Sequence, residues 1–205
     1  MQIKVNKSVT TQFIFICIWS IGIISGLVIT YEYSLGSGEK SQLKSSWPNE
    51  SSLKFNPGKY NLVMFLHPEC TCSKASLFHF KEILSEIKHD NLDSKIIFTM
   101  PKEKEKEWIN SALVKEVKEA GSIQLIFDQS SEEFKRFDAK TSGQAFLFSP
   151  SKDLLFNGGI TDSRGHIGYN QGEDFIINTL NKRGLASKDV DVFGCDNLNK
   201  TIVNK

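Results

Sequence analysis

Residues Tyr60 to Leu84 read YNLVMFLHPECTCSKASLFHFKEIL, a strand pattern, two cysteines and a helix pattern in direct succession. The uninterrupted apolar run from Leu62 to Leu66 predicts a buried strand that ends at His-Pro. Beyond the cysteines, apolar residues recur at steps of three and four, which predicts a helix with one buried face. The residues of that face are Leu77, Phe80, Leu84 and Ile87.

The two cysteines, Cys70 and Cys72, are therefore expected where a buried strand is followed by a helix N-terminus. Unpaired backbone N–H groups and the helix dipole stabilise a thiolate at such a place, so a thiol there becomes reactive near neutral pH. This pattern predicts thiol–disulfide exchange. Cys70, expected to be the more exposed sulfur, attacks a partner disulfide and Cys72 resolves the mixed disulfide, which requires that both be accessible.

Composition excludes some classes of function. The chain has 205 residues, of which 40% are hydrophobic and 24% charged, as is typical of a globular core. Its 25 Lys and Arg residues are balanced by 24 Asp and Glu residues. No large basic surface is available to neutralise phosphates, so nucleic-acid binding is not expected.

The N-terminal region predicts a membrane anchor. Phe13 to Ile29 contains no charge and follows Lys4 and Lys7. We expect residues 1–12 in the cytoplasm, a transmembrane anchor over 13–30 and the rest of the chain outside the cytoplasmic membrane, in the periplasm or outside the cell. A cleaved signal peptide is the alternative. Residues 31–58 are rich in Ser, Gly and Lys and are interpreted as a linker with one docking point at Trp47.

Cysteine number also constrains the chemistry. Cys17 lies in the apolar run and is expected to be inert, which leaves three cysteines in an oxidising compartment. Because two can pair, one remains for a partner, a metal, a resolving role or no role at all. The third is Cys195, in a C-terminal tail expected over residues 186–205.

The order of elements predicts the fold class. A strand and a helix are followed by a strand, an amphipathic helix, a short apolar run, a brief helix, a hairpin and a last helix, which describes an α/β mixed sheet covered by helices on both faces. With a cysteine pair after the first strand, this order resembles the thioredoxin fold, in a domain expected over residues 59–185. The predicted ranges after the first helix are 95–100, 102–120, 123–127, 131–137, 144–148, 154–156 and 175–183.

The sequence contains a set of short motifs that is more specific than the superfamily. These motifs are Trp47-Pro48, Phe65-Leu66-His67-Pro68, Cys70-Thr71-Cys72-Ser73, Ala75-Ser76-Leu77, Phe137, Thr141-Ser142-Gly143, Gly158-Gly159-Ile160-Thr161, Arg164-Gly165-His166, Gly168, Asn170, Gly172 and Val192-Phe193-Gly194-Cys195. The set resembles that of a group of bacterial membrane-anchored thioredoxin-like proteins, the RedB type with a Cys-x-Cys motif. That resemblance implies a fold and redox cysteines rather than a known substrate.

Two departures from ordinary thioredoxins bear on activity. Thr71 alone separates the cysteines, so a disulfide between them closes a tighter ring that is easier to reduce, and oxidant or isomerase activity is as plausible as reductase activity. Thr141-Ser142-Gly143 occupies the place where the resemblance implies a cis-proline. Gly143 admits an unusual backbone conformation there, and the resemblance implies that losing the proline leaves the cysteines open to metals.

Connectivity also predicts which other side chains lie near the sulfurs. The hairpin should return the loop 158–172 to the cysteine end of the sheet, bringing Arg164 and His166 there. His166 either transfers a proton, ligates a metal or supports the loop. Arg164 either holds a substrate carboxylate, lowers a cysteine pKa or forms a salt bridge within the loop. His67, before Pro68, is either aromatic packing or a catalytic group.

The main hypothesis is a membrane-anchored thiol–disulfide oxidoreductase or isomerase that acts on protein thiols or disulfides without a cofactor. The alternative is a copper-binding module in which Cys70 and Cys72, with His166 or Cys195, supply soft ligands to Cu(I). A redox-silent interaction domain is a third possibility. The redox direction, the electron donor, the client and the oligomeric state stay open.

Overall fold

The computed structural model describes residues 7–43, 45–87, 91–183 and 190–196, and the chain divides into two units, Met1–Gly36 and Ser37–Lys205. Part of the predicted cytoplasmic N-terminus and part of the predicted tail lie outside the described residues. The first unit contains helix α1, Lys7–Leu35. Within its portion Thr10–Leu35 an 18-residue window reaches a mean hydropathy of 2.4, and by length and composition this portion could cross a membrane. Its apolar side chains are exposed along the helix, from Phe13 to Ile29.

The second unit is built on one five-stranded sheet of order β3-β2-β1-β4-β5. β1 is central and pairs in parallel with β2 and antiparallel with β4. β2 pairs in parallel with β3, and β4 pairs antiparallel with β5. The strands are β1 Tyr60–Leu66, β2 Leu92–Thr99, β3 Gln124–Asp128, β4 Gln144–Phe148 and β5 Leu154–Gly159.

Alternation along β1 separates two apolar cores. Leu62 and Met64 point into a core formed with three helices, α2, α4 and α6, on one face of the sheet. Val63 and Phe65 point into an aromatic-rich core on the other face, which the short helix α5 covers. The bounds of these helices are α2 Ser73–Glu86, α4 Ala112–Glu119, α5 Glu132–Arg136 and α6 Gln171–Leu180. The predicted fold class, a thioredoxin-like mixed sheet flanked by helices and preceded by an apolar helix, is confirmed.

The single helix predicted over residues 102–120 is wrong, because the segment contains a break. A 3-10 turn, Lys102–Lys104, leads into a four-residue helix α3, Glu105–Trp108, before α4 begins. Ser111 caps α4, since its side chain accepts a hydrogen bond from the Val114 N–H at 3.3 Å. The break leaves Trp108 buried against the ring of His67.

The segment interpreted as a linker lies on the sheet along much of its length. Trp47 is 4% exposed, and its ring lies 5.1–5.2 Å from those of Phe55, Phe137 and Phe148. Its backbone N–H donates to the Lys152 carbonyl at 3.0 Å, which joins the segment to the β4–β5 hairpin. Residues 45–55 thus help cover the second core, and the domain boundaries stay predictions.

Candidate redox site

Cys70 and Cys72 lie at the end of the central strand and the start of the first covering helix. β1 ends at Leu66, α2 begins at Ser73, and Cys72 occupies its N-cap position. The Cys70 N–H donates to the His67 carbonyl at 3.1 Å, which turns the chain between the two elements. The structure therefore places both sulfurs at the strand–helix junction, while Thr71 between them is exposed and Pro68 is buried.

The expected exposure of Cys70 is wrong. Cys70 is 4% exposed and Cys72 is 5% exposed, so neither side chain is open to a large partner. One contributor to this burial is the segment 190–196, which places the Cys195 sulfur against that of Cys70.

A close sulfur–sulfur contact joins Cys70 to Cys195, two residues 125 positions apart in the sequence. Their Sγ atoms lie 2.7 Å apart. A disulfide bond is about 2.05 Å long, so the two free thiols lie close to bonding distance. Cys195, whose role the sequence left open, is thereby placed in the site.

Hydrogen bonds and burial give the three sulfurs different acidities. The pKa of Cys70 is lowered to about 4, chiefly because the Cys195 thiol donates to it. Burial opposes this shift, while the hydroxyl and N–H of Ser73 and the Cys195 N–H reinforce it. Bonding to Cys70, followed by burial, raises the pKa of Cys195. Burial and then the Cys70 charge raise the pKa of Cys72, so Cys70 is the thiolate of the cluster.

A chain of hydroxyl groups leads to this thiolate. The His67 N–H donates to Ser142 Oγ at 2.9 Å, and Ser142 Oγ lies 2.7 Å from Ser73 Oγ. When Ser142 donates to Ser73, the single Ser73 proton is shared between the His67 carbonyl oxygen, 3.4 Å away, and the Cys70 sulfur. Each bond in such a chain polarises the next, which strengthens the last donor toward the negative charge.

His67 is held as a neutral, buried ring. Its Nδ1 accepts the Glu69 N–H at 3.2 Å, which puts the proton of the neutral ring on Nε2. Burial lowers the pKa of His67, against the opposing charges of Cys70 and Glu69. The ring packs edge-on to Trp108 with centroids 4.7 Å apart. Packing, the first of the two interpretations of His67, is what the geometry shows.

Thr141-Ser142-Gly143 lies beside the sulfurs, just before β4. Gly143 has φ +94°, a conformation that favours glycine, and its N–H donates to the Phe65 carbonyl at 2.8 Å. Its neighbour Ser142 donates its N–H to the Cys195 carbonyl at 2.8 Å. Thr141 is 2% exposed and donates its hydroxyl to the Glu39 carbonyl at 2.7 Å. This turn holds both the cysteine strand and the segment that carries Cys195.

The loop after β5 contributes one of its two predicted side chains. Arg164 donates to the Gly194 carbonyl, and its charge lowers the pKa values of Cys72 and Cys195 against the larger raising effects. Arg164 thus acts on the sulfurs by charge and fixes the neighbouring backbone. His166 is exposed, and in the residues described no contact joins it to a sulfur.

The sulfur geometry fits exchange better than metal binding. Two thiolates bound to one tetrahedral ion such as Zn²⁺, each about 2.3 Å from it, lie about 3.8 Å apart. The 2.7 Å between Cys70 and Cys195 is too short for that arrangement. Among the described residues, no three His, Cys, Asp or Glu side chains are arranged to hold a metal ion.

Two residues of the site were not found from the sequence. Ser73 follows the cysteine motif directly, and its place at the first turn of α2 was a usable signal. Trp108 lies 41 residues after His67 in a segment predicted to be one helix, and no local pattern indicated that it would pack there.

Comparison with protein-family models and with curated proteins found no match. Among solved structures, an uncharacterised conserved protein from Geobacillus kaustophilus is 15% identical, with 82% of this chain and 95% of that chain covered and a TM-score of 0.53. A hypothetical protein from Sinorhizobium meliloti is 18% identical, with 82% and 98% covered and a TM-score of 0.53. A thioredoxin-like protein in its oxidised form is 15% identical, with 71% and 94% covered and a TM-score of 0.45. These likenesses concern the fold alone.

Proposed function

We propose that the protein exchanges disulfides with other proteins through Cys70. One observation carries this proposal: the Cys70 thiolate lies at the strand–helix junction, and a second sulfur lies 2.7 Å away. That second sulfur can form a disulfide with Cys70 and so displace a bound client. A thiolate is the species that attacks a disulfide. A second thiol close to bonding distance is what releases the partner afterwards.

In the reducing direction, the Cys70 thiolate attacks one sulfur of a client disulfide. The client S–S bond breaks, a mixed disulfide forms at Cys70, and one client sulfur leaves as a thiolate. A neighbouring thiol, Cys72 in the assignment made from the sequence, then attacks Cys70 and releases the second client sulfur. The reverse sequence oxidises a client dithiol, so the same site serves either direction.

The proposal includes a location. Helix α1 would anchor the protein in the cytoplasmic membrane, and the basic residues Lys4 and Lys7 favour a cytoplasmic N-terminus. The thioredoxin-like domain would then meet protein thiols and disulfides in the periplasm or outside the cell. The set of short motifs in the sequence supports membership of the membrane-anchored RedB-type group that the sequence resembles.

A copper-binding module remains the second candidate, because both Cys72 and Cys195 interact with the Cys70 sulfur, so three soft sulfur ligands lie in one neighbourhood. Cys70, Cys72 and Cys195 would have to spread apart to share an ion. Anaerobic titration of the reduced chain with Cu(I) tests this candidate. Binding no tighter than that of a simple dithiol rules it out, and tight binding lost in Cys72→Ser supports it.

Exchange is tested with the full chain in detergent micelles and insulin as the disulfide substrate. Cys70→Ser should abolish insulin reduction, because the attacking sulfur is gone. Cys17→Ser, which changes a cysteine of helix α1, is the matched control and should reduce insulin at the wild-type rate. Full activity of Cys70→Ser, in reduction and in an isomerase assay, would refute the proposal.

A further inference from the structure

The segment 190–196 is held in the site by its backbone. The Cys195 carbonyl accepts the Ser142 N–H at 2.8 Å, and Asp196 forms an isolated antiparallel bridge with Thr141. Earlier in the segment, Val192 is fully buried, and its carbonyl accepts the Gly38 N–H at 2.8 Å. The segment is therefore held by two isolated antiparallel bridges, one of which joins it to the Thr141 turn beside the sulfurs.

Three glycines make room for this pairing. A Cβ atom at Gly194 would overlap the Ser142 carbonyl oxygen. Cβ atoms at Gly158 and Gly159 would come within 2.6 Å of the backbone oxygens of Val190 and Asp191. Because glycines stand on both sides of the contact, the surface is shaped for this close approach.

This close approach places Cys195 against Cys70. With antiparallel pairing at Thr141 and Ser142, the Cys195 sulfur lies 2.7 Å from that of Cys70, and neither residue is in a disulfide. A client polypeptide that presented a cysteine to Cys70 would occupy the same surface beside Thr141 and Ser142. The segment 190–196 thus occupies the site as a client would.

We propose that Cys195 is the internal exchange partner of Cys70, and that the segment 190–196 is a built-in substrate that leaves Thr141 and Ser142 before a client can pair there. This inference rests on the proposed function and names the thiol that completes it.

The internal exchange transfers the disulfide bond from the client to Cys70 and Cys195. After a client disulfide has formed a mixed disulfide with Cys70, the segment returns and the Cys195 sulfur attacks the sulfur of Cys70. The Cys70–client bond breaks, the client sulfur leaves and takes up the Cys195 proton, and a Cys70–Cys195 disulfide forms. Two client thiols are produced and one protein dithiol is oxidised. In the oxidising direction, a client thiolate attacks that disulfide at Cys70 and frees Cys195.

Peptide mapping tests the pairing without a variant. Trypsin releases residues 60–74, with both Cys70 and Cys72, and residues 189–200, with Cys195 alone. The full chain is oxidised with one equivalent of a small disulfide, its remaining thiols are blocked and the digest is analysed without reductant. We expect the two peptides joined. Peptide 60–74 closed on itself, with 189–200 unlinked, would overturn the proposal.

Variants distinguish the sulfurs. The joined peptides should persist in Cys72→Ser and be lost in Cys70→Ser, and loss in Cys72→Ser instead would overturn the pairing. With insulin as the probe, Cys195→Ser should accumulate a mixed disulfide at Cys70 that the wild-type protein does not retain. Wild-type turnover by Cys195→Ser without such accumulation would refute this inference alone, whereas activity in Cys70→Ser refutes the function beneath it.

Discussion

Replacing Cys195 should make Cys70 a weaker acid, because the Cys195 thiol is the donor that lowers the Cys70 pKa most. A hydrogen bond to a charged group contributes about 1.5–3 kcal/mol. One pKa unit corresponds to about 1.4 kcal/mol, so loss of this donor raises the pKa by about 1–2 units. Water that reaches Cys70 after the truncation offsets part of the rise. From a pKa of about 4, Cys195→Ala should move Cys70 to about 5–6.

The assay measures the alkylation rate of Cys70 against pH in the reduced full chain. Cys72→Ser is the background for every sample, so that peptide 60–74 carries one thiol. At pH 5 the thiolate fraction should fall from about 0.9 to about 0.1–0.5 when Cys195 becomes alanine, as the pKa values of about 4 and about 5–6 require.

Cys195→Ser is the matched control, because its hydroxyl still donates and should keep the Cys70 pKa below that of the alanine variant. An alanine variant with the parent's inflection would refute the role of Cys195. A parent inflection near the ordinary cysteine value of about 8.5 would refute the thiolate assignment itself.

Three further predictions concern the core, an acidic side chain and the hydroxyl chain. Trp47→Ala should lower the free energy of unfolding in urea by about 3–5 kcal/mol, and Trp47→Phe by clearly less, since Trp47 packs on three rings. Burial raises the pKa of Glu133, but hydrogen bonds from Ser51, Ser52 and Arg136 outweigh it and the net pKa is lowered. Because the folded pKa lies below the unfolded one, the stabilisation is present above the unfolded value and is lost as pH falls through the folded value. Glu133→Gln should therefore cost about 1–3 kcal/mol at neutral pH, with the difference from wild type shrinking in unfolding curves below about pH 4; an equal loss at both pH values would contradict this. Ser73→Ala should raise the Cys70 pKa in the same alkylation assay, and an unchanged value would remove Ser73 from the donor set.

The parts that could be predicted are those encoded by local periodicity and by connectivity. The apolar run of β1 and the helical spacing after Cys72 place the two cysteines at their junction. The hairpin returns the loop that contains Arg164 to the cysteine end, where it bonds Gly194. The same reasoning could not tell which way a loop side chain points. Arg164 turns inward while His166, two residues later, is exposed.

Other features were predicted wrongly because contacts with distant segments determine them. The helix predicted over 102–120 is interrupted because Ser111 caps α4 within an amphipathic run. The interruption buries Trp108, which packs against the ring of His67 at the end of β1. The polar segment around Trp47 has the composition of a linker, yet its one large ring fits an aromatic core. Burial of a single side chain can outweigh the preference of the polar residues around it.

The amino-acid order alone determined the layered α/β fold and the two cysteines at a helix N-terminus, because strand and helix periods and backbone electrostatics act over a few residues. Only the folded chain decided that Cys70 is covered and that the Cys195 sulfur lies 2.7 Å from its own. That contact depends on backbone pairing at Ser142 and on glycines that no local pattern connects. Contacts between segments 125 residues apart follow from how whole elements pack, and the sequence pattern near either cysteine contains no record of the other.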